Sequence, residues 1–243
     1  MGLFDLFKAG DKSRPKASPA AKWAERMERR AQNYDRQEAI TALSEMATAE
    51  AVEALLKRFT FHMDPSITDQ EEKDSAFRGI LRAGQEAVEP VRSFAAKAES
   101  LAWPMKIMTE LLGPDEYVDE MLRWLSRWDT EYAKFVEPKV QLLAALEEHK
   151  SPRIRAEVER FLEDVNEPAR FHAASTLLAQ EDEAAVPALA RLIGDEESVR
   201  VRTRVAEGLT TRAWTVPEGD RDAVRAGLPP GFTLDAAGRV IKR

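Results

Sequence analysis

Three histidines carry all the imidazole in this chain: His62 in a run of carboxylates, His149 after Glu147 and Glu148, and His172 between Phe171 and Ala173. Acid–base or triad chemistry needs a base within hydrogen-bond reach of a nucleophile and of a third, orienting group. Histidines this scattered along the chain supply that only if distant segments converge. With no cysteine, thiolate nucleophiles, disulfides and Cys-based metal sites are excluded. A Gly-rich phosphate loop, a His-Glu-x-x-His pair and a dinucleotide fingerprint are all absent from the sequence. The residues therefore read as non-enzymatic, with no cofactor and no metal expected.

Two constellations remain. The first is the segment 61–74, where His62, Asp64 and Asp69 lie close together among further carboxylates. It reads as an insertion longer than an ordinary helix–helix connection, a place where function tends to be grafted. Carboxylates there suit a hard cation, but the alternating Asp-x-Asp-x-Asp-Gly spacing is missing, so a solvated acidic loop capping the next helix is expected. The second is Arg123, Trp124, Arg127 and Trp128, two cations and two indoles at i, i+4 on one helix. Arg92 and Lys97 precede them, and Arg153, Arg155, Arg160 and Arg191 follow. On a common face they would form a basic stripe for an acidic peptide, a phosphate or a nucleic-acid backbone. The plainer alternative is that Glu120, Glu157, Glu159, Glu163 and Glu183 neutralise the arginines while the tryptophans fill core. A formal net charge of -7 disfavours nucleic acid as the partner.

These residues must be positioned by helices, because apolar residues recur at helical spacing from end to end. Ala39, Ile40, Leu43 and Met46 make one stripe; Val52, Leu55, Leu56 and Phe59 make the next. Further along, Arg170, Ala174 and Leu177 recur as Arg202, Ala206 and Leu209, roughly 32 residues later. Val158, Phe161, Leu162 and Asp164 recur in the same way as Leu189, Leu192, Ile193 and Asp195. A two-helix unit repeated at such a period stacks into a helical solenoid.

The stripes Arg170-x-x-Ala-Ala-x-x-Leu177 and Ala185-Val-Pro-x-Leu-x-x-Leu-x-x-Asp195 resemble HEAT repeats. That resemblance covers about 35–209 and implies an all-α fold, an α-solenoid of about five HEAT-like helix pairs. It also implies that second helices line a concave face that binds another protein, which makes the chain a scaffold or adaptor. The alkylation-repair DNA glycosylases look like HEAT stacks too, and on that likeness Trp124, Arg127, Trp128 and Asp129 would be the candidates; no motif aligns residue by residue.

The ends differ from the middle. Residues 1–33 are expected to form a flexible arm and lead-in helix, with Leu3, Phe4 and Phe7 as an anchor for a membrane surface or a partner groove, and basic side chains within residues 1–16 adding attraction to an acidic surface. Trp23 is expected to cover the exposed end of the stack. Residues 34–212 are expected to be the repeat domain. Residues 213–243 are expected to be a cap, with a β-hairpin around Asp-Ala-Ala-Gly and Trp214, Leu228, Phe232 and Ile241 facing inwards. No stretch approaches the roughly 20 apolar residues that span a bilayer, and a cytoplasmic location is expected.

Overall fold

Several helices in this chain begin at a side-chain cap or a proline, and several end on left-handed backbone. The computed structural model describes residues 18–243, which fall into two units, up to Phe94 and from Ala95 onwards. The first unit holds α1 (Pro19–Ala24), α2 (Asn33–Met46), α3 (Ala49–Leu56), α4 (Ser66–Arg82) and most of α5 (Val88–Ala95). The Ser18 hydroxyl caps α1; Ala47, at φ 49°, ends α2, and the Thr48 side chain starts α3 immediately afterwards. Helix α2 runs along α4, and α1 along α3, so the unit has two layers around Leu43, Val52, Leu55, Leu56 and Ile80.

Two expectations need correction here. The lead-in helix is α1 followed by a 3-10 turn, Glu25–Met27, because Glu28, Arg29 and Arg30 offer no apolar face to bury. Met27 goes fully inside, whereas Trp23 stays half-exposed under the cations of Lys22 and Arg26. The insertion at 61–74 shrinks to 61–65, since α4 starts at Ser66. Its buried stripe is written largely in charged residues, Asp69, Glu72 and Lys73 followed by Ala76, so apolar periodicity did not mark it as a helix.

The second unit holds α6 (Ala102–Leu111), α7 (Pro114–Leu125), α8 (Glu137–Leu146) and α9 (Pro152–Val158), the last prolonged by a 3-10 turn, Glu159–Glu163. Then come α10 (Glu167–Ala179), α11 (Val186–Asp195), α12 (Val199–Arg212) and α13 (Arg221–Gly227). First helices α8, α10 and α12 pack side by side as one layer; the turn after α9, then α11 and α13, form the other. Phe161, Leu177, Leu189, Ile193, Val205 and Leu209 are fully buried between them. Close packing of α10 on α12 depends on Gly208, where a Cβ would lie 2.3 Å from a methyl of Leu178. Strands β1 (Phe232–Leu234) and β2 (Val240–Lys242) pair antiparallel, Thr233 opposite Ile241, which gives the expected hairpin. Trp214 and Phe232 are buried beneath it, but Ile241 is exposed. Among the described residues the fold is all-α with this one small sheet.

Candidate functional site

Asp69 and His62 meet in the first unit, and what surrounds them is a buried ion cluster. Glu72 accepts from Arg36 Nε at 3.0 Å and from Arg58 Nε at 2.6 Å. Asp69 accepts from Arg58 at 2.7 Å and from Lys73 Nζ at 2.6 Å. Arg36, Arg58 and Glu72 are at most 2% exposed. Burial pushes the Asp69 carboxyl up, but the hydrogen bonds from Lys73 and Arg58 outweigh it and hold the pKa at about 2. His62 stands at the solvent edge of the cluster, its side chain exposed and its Nδ1 3.0 Å from Lys73 Nζ. Asp64 is exposed and stands outside it. Such an arrangement cements α2 to α4: every carboxylate is spent on a cation, which leaves none to ligate a metal or to move a proton.

In the second unit the buried charges form rungs. Lys139, near the start of α8, reaches Asp164 at 2.5 Å, with both side chains at 0% exposure. One repeat later, Arg170 near the start of α10 makes a two-pronged pair with Glu196 at 2.6 and 2.8 Å. Burial raises the Glu196 carboxyl, yet Arg170 and the Ser198 N–H leave it below the usual carboxylate range. Each acid also caps the following turn, Asp164 accepting from the Asn166 N–H and Glu196 from the Ser198 N–H. The third cation, Arg202, finds only the Gly227 carbonyl, and its Nε has no partner.

Of the arginines expected to share one face, Arg160 and Arg191 come together, in a cavity of about 810 Å³ between the turn after α9 and α11. Arg155 and Arg170 also line it, but so do Glu159, Glu163, Asp164, Asp195, Glu196 and Glu197. Carboxylates outnumber cations there, so this stretch of the second-helix face is no basic stripe. Among the described residues Arg191 carries no ion pair, and neither do Glu163, Asp195 and Glu197. Arg123 pairs with Glu120 at 3.0 Å, Arg153 with Asp119, and Arg92, in the first unit, with Glu89 at 3.3 Å. Trp124 is buried, as core filling requires, whereas Arg127 is exposed beside a separate cavity.

Two features escaped sequence reading. Lys139 is buried because it ties down the connection 126–136, donating to the carbonyls of Asp129 at 3.1 Å and Glu131 at 3.4 Å. That connection displays Tyr132 and Phe135 to solvent, and its length between the Trp128 and Val140 stripes was the available signal. His172 is half-buried, its Nδ1 unpartnered; burial lowers its pKa while Glu147 and Glu167 pull the other way. Leu3, Phe4 and Phe7 lie outside the described residues. Among the described residues no group of three or more His, Asp or Glu is arranged to hold a metal ion, and no helix is long and apolar enough to cross a membrane.

Against known proteins, residues 131–210 match the family of HEAT repeats. No curated protein and no solved structure matches the chain. The match spans α8 to α12, where the Lys139, Arg170 and Arg202 rungs repeat with the helix pairs. Through those pairs, residues 131–210 are HEAT repeats.

Proposed function

We propose that this protein is a non-enzymatic scaffold or adaptor that binds another protein through the face formed by its second helices. HEAT repeats are in general platforms for protein interaction. The supporting observation is the cavity between the turn after α9 and α11, open to solvent and bordered by unpaired charges of both signs, Arg191 against Glu163, Asp195 and Glu197. A surface of mixed sign suits a protein with complementary polar side chains; a phosphate backbone would meet a surplus of negative charge. In this reading residues 34–212 form the repeat domain, 213–243 cap it, and 1–33 serve as an arm.

Affinity capture from the native cell with the wild type and with Arg160→Glu/Arg191→Glu tests this. Both side chains are exposed, so the variant should keep its circular-dichroism spectrum. A protein that copurifies with the wild type should be lost from the variant. An identical captured set overturns the groove, and salt-sensitive binding to a DNA duplex by the wild type would redirect the function to nucleic acid.

A further inference from the structure

A second cavity in the 95–243 unit, of about 370 Å³, lies between the 95–101 connection, the C-terminal end of α7 and the residues leading into α8. Its floor is apolar and aromatic: Leu101, Trp124, Trp128, Phe135 and Pro138. Its polar edge holds Lys97, Arg127 and Glu99. Lys97 and Arg127 are exposed and carry no ion pair among the described residues, in contrast to Arg123, one turn earlier on α7, which is spent on Glu120. The edge is therefore positive in a protein whose net charge is -7.

Trp124 adds an independent observation. Its side chain is 3% exposed, and its indole N–H has no acceptor among the described residues. A buried tryptophan normally finds a partner for that donor, because an unmade hydrogen bond in a dry environment is costly. The connection between Trp128 and Phe135, two of the lining residues, is also tied down in advance of any ligand: Lys139 fixes the Asp129 and Glu131 carbonyls, and the Val165 N–H donates to Thr130 at 3.0 Å. A connection fixed in this way loses little freedom on binding.

We infer that this cavity docks a linear acidic segment of a partner protein, with one large apolar side chain seated on Trp124, Trp128 and Phe135 and flanking carboxylates on Lys97 and Arg127. The volume falls at the lower end of small-ligand pockets and suits one aromatic or leucine-sized anchor. The inference rests on the protein-binding reading above and names the chemistry of a segment that reading leaves open.

Fluorescence anisotropy with a labelled acetyl-EDEFDED-amide peptide tests it. The wild type should bind this peptide at least tenfold more tightly than acetyl-EDEGDED-amide or acetyl-KRKFKRK-amide. Arg127→Glu and Lys97→Glu, both at exposed positions, should each weaken binding at least tenfold, while Arg153→Ala leaves it unchanged. In a nitrogen–proton spectrum, the indole resonance absent from Trp124→Phe should shift when the acidic phenylalanine peptide is added to the wild type. Equal binding of the glycine peptide, indifference to both charge reversals, or an unmoved Trp124 resonance overturns the inference. If the peptide fails but capture still depends on Arg160 and Arg191, this cavity falls and the groove stands; if the peptide succeeds while capture is indifferent to those arginines, the reverse holds.

Discussion

Both units bury charge at the start of a first helix, yet they wire it differently. In the first, Arg36, Arg58 and Lys73 share two carboxylates, Glu72 and Asp69, in one connected cluster. In the second, each cation owns one acid, Lys139 with Asp164 and Arg170 with Glu196, and the arrangement repeats with the helix pairs. A cluster concentrates the consequence of a single substitution, because removing one acid strands several cations at once. A ladder confines the damage to one rung and the turn that its acid caps.

The largest effect should come from the hub of the cluster. Glu72→Ala leaves both Arg36 and Arg58 without their shared acceptor and should cost at least about 3–5 kcal/mol in urea unfolding. Asp164→Ala strands a single cation and should cost less, about 3 kcal/mol, and replacing the whole rung as Lys139→Met/Asp164→Leu should recover most of that loss, since no buried charge is left unpaired. If Asp164→Ala proves the costlier of the two single changes, the contrast between hub and rung fails. Next comes acid. Because the folded Asp69 pKa is depressed from 3.8 to about 2, its contribution, roughly 2 kcal/mol, is present above pH 3.8 and lost as the pH falls towards 2. Thermal melts of Asp69→Asn across that window should show a flatter decline than the wild type. Smallest is the exposed Arg153 pair with Asp119: Arg153→Ala should shift stability by about 0.2–1 kcal/mol.

Repeat architecture was legible because burial in 131–210 is mostly apolar, so the stripes Ala173, Ala174, Leu177 and Leu189, Leu192, Ile193 stand out at helical period. Helix α4 was hidden because tertiary pairing with Arg36 and Arg58 buries residues whose polarity argues for solvent. Site geometry was the least legible. The spacing of Arg123 and Arg127 is the same whether a guanidinium is free or paired, and only the neighbouring turn decides that Glu120 takes the first and leaves the second exposed.

Gly227 packs so tightly on the second layer that a Cβ there would come 2.1 Å from the Ile193 oxygen, and its own carbonyl receives Arg202. For anyone lengthening the protein by inserting repeats, the junction after α12 thus carries a built-in instruction. A grafted helix pair that displaces α13 must bring an aspartate or glutamate to the place of that carbonyl, or Arg202 will become the weakest point of the extended array.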